Sequence, residues 1–261
     1  MPSVASIVSP RIALILLHVL LPTLSLAGLV GLLQITWGVA LSPPGLLALL
    51  AGTVVVYTGE RVFERHAEYG RRLVRILLVL GAVAALALLA VVLRHPDRLL
   101  PVVVPLAALS LAYPPLARIP AAKELAVTAC WTVGVVVLPF GREHARWDLL
   151  AEPAAWAVAM AVLGATLLCD CKDEEADRVR GLGALPVLVG GPWTRLVAAA
   201  AGLDATWLAW WGQAYGLLPT AFLLVYLATR DDILRQPQIG PIAVDASLAL
   251  AGAVAWAGTV V

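Results

Sequence analysis

Two acidic clusters interrupt an otherwise apolar chain, and their residue types and spacing point to polyphosphate chemistry. The first, YTGERVFERHAE, holds Glu60, Glu64 and Glu68; the second, CDCKDEEADRVRG, holds Asp170, Asp173 and Asp177. Steps of three and four residues bring the carboxylates of each cluster towards one helical face. Like charges so placed repel by roughly a few tenths of a kcal/mol per exposed pair. Two such faces opposed across a cavity repel far more unless cations sit between them. Carboxylate oxygens suit Mg²⁺, which takes one or two carboxylates and completes its shell with phosphate oxygens. The clusters together predict a diphosphate site bridged by Mg²⁺, with Glu60, Glu64, Asp170, Asp173 and Asp177 as metal ligands. Arg61, Arg118, Lys123, Lys172 and Arg178 are available to neutralise the phosphates. The first cluster also fits a solvated helix face on which Glu60–Arg61, Glu64–Arg65 and Glu68–Arg72 pair. The second fits that description less well, because aspartate is a poor helix former and here recurs at helical spacing directly after an apolar run.

The elements that must carry these clusters are membrane helices. Of 261 residues, 61% are hydrophobic and 13% charged, with a mean hydropathy of +0.92. Soluble domains are about 45–50% apolar and about 25% charged, so a disordered chain, a disulfide scaffold and a nucleic-acid-binding domain are excluded. Cys130, Cys169 and Cys171 fall in or beside apolar runs and read as small apolar residues. At about 20 residues per span, nine are predicted: 12–36, 43–63, 73–93, 99–116, 122–140, 149–170, 185–206, 209–228 and 240–260. They form a single integral membrane domain over 1–261. The apolar run after Arg11 is too long for a signal-peptide core and reads as an uncleaved first span. A cytoplasmic N-terminus puts fourteen Lys and Arg inside and four outside, which predicts an external C-terminus and acidic clusters facing the cytoplasm.

Other unusual residues lie within the spans. Trp131 and Trp156 are candidates for cation-stabilising walls of a cavity, whereas Trp37, Trp147, Trp207, Trp210 and Trp211 suit an interfacial aromatic belt. Asp204 lies in an uncharged run from Leu196 to Thr229. It reads either as a catalytic carboxylate facing a cavity, since intramembrane carboxylates are costly, or as a helix cap near the outer surface. Asp245 falls near the cytoplasmic mouth, and His18 reads as a satisfied buried imidazole.

The segment DCKDEEADRVRGLGALPVLVG resembles the second aspartate-rich motif of the UbiA superfamily of membrane prenyltransferases. Asp173, Asp177, Gly181 and Ala184-Leu185-Pro186 stand where that motif has its aspartates, its glycine and its Thr-Leu-Pro-like stretch. LAYPPLAR, 111–118, resembles the family's Tyr-x-x-x-Lys motif, and ERVFERH resembles its first aspartate motif. The chain departs from the family at Val56 and Tyr57, which replace Asn-Asp, and at Glu60 and Glu64, which replace aspartates. Ala117 stands in the lysine position, followed by Arg118.

The resemblance implies an all-α, nine-helix bundle around a central cavity and a Mg²⁺-dependent enzyme. Its substrate would be an isoprenyl diphosphate, ionised to an allylic carbocation that a lipophilic, usually aromatic, acceptor attacks. Tyr113 would line the site, and Asp173 and Asp177 would be its principal catalytic carboxylates. A terpene cyclase on the same scaffold, needing no external acceptor, is the alternative. A transporter or non-catalytic scaffold is a more distant one, since transport sites usually lie at mid-depth.

Overall fold

The structure is a computed structural model describing residues 10–65, 71–141, 143–236 and 239–260, with side chains described throughout these except at 10–18, 63–65, 72, 241 and 258–260. The backbone of Glu64 is therefore described without its side chain, and Glu68 lies outside the described residues. The helices are α1 (Pro10–Trp37), α2 (Pro43–Arg65), α3 (Arg71–Arg94), α4 (Pro96–Leu116), α5 (Ala122–Val137), α6 (Pro153–Arg180), α7 (Leu185–Val189), α8 (Gly191–Trp211), α9 (Leu218–Ala228), α10 (Asp231–Leu234) and α11 (Gly240–Val260). No named strand occurs among the described residues; Leu41 and Phe140 form an isolated bridge.

Nine of these helices, all but α7 and α10, follow the nine predicted segments in order. Five contain stretches long and apolar enough to cross a membrane: Val19–Trp37, Pro43–Val62, Leu73–Arg94, Pro96–Leu116 and Pro153–Arg180. These mark an integral membrane protein, although nine crossings do not follow from length and composition. Helices α5 and α9 have 16 and 11 residues, short of the ~20 that a span takes. Helix α8 has 21 residues but includes Arg195, Asp204 and four tryptophans. The predicted break near residue 207 also moves, because the chain turns first at Gly190 (φ +87°) and α8 then runs unbroken to Trp211.

Helix α6 is the axis of the bundle. Its small and aliphatic residues, including Ala154, Ala157, Val158, Ala161 and Ala165, are buried, and glycines allow close approach by neighbours. A Cβ on Gly164 would lie 3.2 Å from the Ala198 carbonyl of α8. One turn along the same face of α8, a Cβ on Gly202 would lie 2.9 Å from Val225 of α9. Helices α1 and α11 touch where Gly28 meets Gly252, and a Cβ on Gly252 would overlap the Gly28 backbone. Such contacts between small residues are what pack helices in lipid, where apolar burial alone supplies little drive. Helices α3 and α4 are peripheral: α3 turns Val79, Leu86 and Leu93 outward, and α4 turns Leu100, Val104 and Leu111 outward.

At the end of the bundle remote from the acidic clusters, the buried Arg98 of α4 donates to the Leu138 carbonyl (3.0 Å) and to the Ser42 hydroxyl. Ser42 N–H donates to Pro139 O at 2.7 Å, and Trp37 meets Phe140 edge-on. Aromatic residues also bracket α9. Trp210 packs edge-on against Tyr215 before it, and the Arg230 guanidinium lies over the Tyr226 ring after it.

Gly252→Val is expected to lower the melting temperature in detergent, since overpacking of this kind costs about 1–3 kcal/mol. Gly31→Ala, whose Cβ meets open space, is expected to leave it unchanged. Thermal unfolding followed by circular dichroism checks both.

Candidate active site at one end of the bundle

Helix α6 carries the second acidic cluster beyond its apolar stretch and stops at Gly181. There φ is +68°, and the N–H groups of Gly181 and Leu182 return to the carbonyls of Arg178 and Asp177. A left-handed glycine closing the last carbonyls is the usual helix stop. Two residues on, Gly183 pairs with the α4–α5 loop. Its N–H donates to Ala117 O at 2.7 Å, and its carbonyl accepts from Ala121 N–H at 3.0 Å. A Cβ on Gly183 would lie 2.8 Å from the Ile119 carbonyl group, so the contact requires glycine. Glu124, in the first turn of α5 and 2% exposed, accepts the Leu185 N–H at 2.5 Å. The Tyr113–Arg118 stretch and the glycine-containing tail of the second cluster are thereby joined backbone to backbone.

Lys123 occupies the space between the two outer aspartates of that cluster. Its Nζ lies 2.8 Å from Asp170 Oδ1 and 2.9 Å from Asp177 Oδ2, and both aspartates are buried. Helix geometry explains the pairing: residues seven apart differ by about 20° around the axis, whereas Asp173 is displaced from Asp170 by about 60°. Asp173 is accordingly the more open carboxylate and lies 3.4 Å from Lys172 Nζ. Asp170 Oδ2 and Glu124 Oε2 are buried without a hydrogen-bond partner. Tyr113 lies within electrostatic reach of Lys123.

A second charged group gathers beside the first. Asp245 of α11 is within electrostatic reach of Glu60 and Arg61 of α2 and of Lys172 of α6. Cys169 is within reach of Asp245, Lys172, Asp170 and Asp173. One turn further into α2, Tyr57 meets Trp131 of α5 edge-on, with ring centroids 6.4 Å apart. Trp131 thus stands next to the charged group. Asp245 is the member that sequence reasoning placed at the mouth without giving it a role; its signal was a lone carboxylate early in an apolar helix. Glu124 gave no comparable signal, since Lys-Glu in a first helical turn reads as solvated.

The remaining candidates fall elsewhere. Arg178 is exposed and bonded to Glu174 (2.8 Å) and Glu175 (2.7 Å), surface pairs of little energetic weight. Arg118 is exposed on the α4–α5 loop. Trp156 is 53% exposed, which corrects its reading as a cavity wall, because the buried face of α6 runs through Ala154, Ala155, Ala157 and Val158 instead. Asp204 is exposed as well. The buried stripe of α8 is Ala201, Gly202, Ala205 and Ala209, so Asp204 points away from the bundle interior and the catalytic reading loses its basis. A further ionic group joins Arg195 of α8 to Asp231, which also holds Arg235 at 2.8 Å.

The expected Mg²⁺ ligands do not converge as one set among the described side chains, of which Glu64 is not one. Among the described residues no three His, Cys, Asp or Glu side chains gather closely enough to hold a metal ion. The best-placed oxygen pair, on Asp170 and Asp177, already holds an ammonium group.

No protein-family model and no curated protein matches the chain. Among solved structures, the fold is similar to that of a UbiA homologue from Aeropyrum pernix K1, described in its apo form. The TM-score is 0.64 at 18% identity, over 92% of this chain and 96% of that one. The architecture is therefore that of a UbiA-type membrane bundle.

Glu124→Ala strands the Leu185 N–H in a buried position and is expected to destabilise the protein by about 1–3 kcal/mol. Glu124→Gln retains an acceptor and should recover most of that loss. Detergent melting curves of the two variants compare them.

Proposed function

We propose that this chain is an intramembrane prenyltransferase that ionises an isoprenyl diphosphate and passes the prenyl group to a lipophilic, aromatic acceptor. The observation that carries the reading is the meeting, in a UbiA-type fold, of Glu60 and Arg61, Lys172 and Asp173, and Asp245 at one end of the bundle. In this reading Arg61 and Lys172 take up the diphosphate charge, and Arg118 reaches it from the loop. The carbon–oxygen bond breaks as negative charge accumulates on the leaving diphosphate, so fixed cations in a site of low dielectric lower the barrier most at that point. The allylic cation is left against the Tyr57–Trp131 pair, whose ring faces attract positive charge. The acceptor then attacks carbon and loses its own proton. Mg²⁺ belongs to this proposal as the counter-ion that the diphosphate brings with it, with Asp173 and Glu60 as the more accessible carboxylates beside it.

The sidedness follows the same proposal. The acidic end faces the cytoplasm, supported by the fourteen-to-four division of Lys and Arg.

The test is diphosphate release by detergent-purified protein from C10, C15 and C20 isoprenyl diphosphates, with and without Mg²⁺ and an aromatic acceptor. Acceptor-dependent release is expected. Arg61→Ala and Lys172→Ala should each lower it by about 10²-fold, the scale of losing one preorganised electrostatic contact. Asp173→Ala should abolish it in a protein that remains monodisperse. A hydrocarbon or alcohol formed without acceptor would replace the transferase reading with the cyclase one. Release in none of these conditions would end both.

A further inference from the structure

Asp170 and Asp177 are the two carboxylates of the second cluster that the bundle encloses, and both approach one point. That point is occupied by Lys123 Nζ, within 2.9 Å of an oxygen of each. A Mg²⁺ ion shared by the same two oxygens would need them at about 2.0–2.1 Å in octahedral geometry, which Nζ forbids while it remains in place. The lysine is enclosed at this point. Its side chain is 11% exposed, and α5 is fixed at this end by the Glu124 bond to Leu185 N–H and by the Ala121–Gly183 pairing.

We infer that Lys123 is a built-in counter-cation for Asp170 and Asp177, and that these two carboxylates are closed to divalent metal in the resting protein. A covalently attached +1 charge stands where the sequence predicted a dissociable +2 charge. Lys123 is thus a positioning residue: it fixes the carboxylates of α6 against α5 and leaves Asp173 as the carboxylate of the cluster open to a ligand. This concerns the second cluster whatever reaction the chain performs.

The test is Mn²⁺ uptake by the full-length protein in detergent, without diphosphate, read from the electron paramagnetic resonance of the free ion. Wild-type protein is expected to show the same uptake as Asp170→Asn and Asp177→Asn, including none at all. Lys123→Ala should gain one Mn²⁺ equivalent, and adding Asp170→Asn to it should remove that equivalent. Lys123→Arg, which keeps the charge, should gain nothing. Wild-type uptake that disappears in Asp177→Asn would overturn the inference, as would a monodisperse Lys123→Ala that takes up no additional ion. Should Lys123→Ala fail to fold, wild type against the two asparagine variants decides alone. Failure of prenyl diphosphate turnover would leave every one of these results untouched, so the two readings stand or fall separately.

Discussion

The contact on which the rest of the bundle depends is the ammonium of Lys123 between Asp170 and Asp177. Charged groups taken out of water are tolerated when they are paired, and stripping one partner from such a set leaves an uncompensated buried charge. Three charges from two helices therefore fix the azimuth of α6 against α5. Everything after α6 inherits that setting: the stop at Gly181, the docking of Gly183 on the α4–α5 loop, and the Leu185 N–H at Glu124. The opposite end of α5 is secured by a different cation, since Arg98 donates to the carbonyl of Leu138 just past its last turn. A helix of only 16 residues is thus held at both ends by polar groups from other segments.

Two charged groups lie side by side at the acidic end and differ in character. The Lys123 group is enclosed, with the ammonium within 2.9 Å of an oxygen of both aspartates. The group of Glu60, Arg61, Lys172, Asp173 and Asp245 is looser, with Lys172 and Asp173 at 3.4 Å, and is drawn from α2, α6 and α11. An enclosed set beside a looser one suits a site in which one carries structure and the other meets a ligand. The aromatic pair of Tyr57 and Trp131 adjoins the looser group, where an apolar chain would continue from a charged headgroup.

Much of this was legible in the sequence. The nine helical segments followed from apolar run length, and the acidic end from two clusters at helical spacing. What spacing could not supply was the partner. Asp170, Asp173 and Asp177 look alike along the chain, yet a 60° difference in azimuth buries two of them against Lys123 and leaves the third open. Lys123 itself read as one phosphate-binding cation among five, because its distance from the cluster in sequence hides its contact in space. Asp204 and Trp156 misled for a related reason. Each is conspicuous by residue type, but the small residues flanking them, Ala201 and Ala205 on α8 and Ala155 and Ala157 on α6, define the packed faces. In a bundle built on alanine and glycine, the inconspicuous residues mark the inside.

The aromatic residues that bracket α9 measure it against the bilayer. Tyr215 and Tyr226 are eleven residues apart, or about 17 Å at 1.5 Å per helical residue, whereas a hydrocarbon layer is about 30 Å thick. Helix α9 alone is therefore little more than half as long as such a layer is thick, whereas α8 and α11, which pack against it, have 21 residues each. Its seating is set by those neighbours, through Val225 at Gly202 and the Thr220 hydroxyl on the Ser247 carbonyl, and not by a match between its own length and the bilayer.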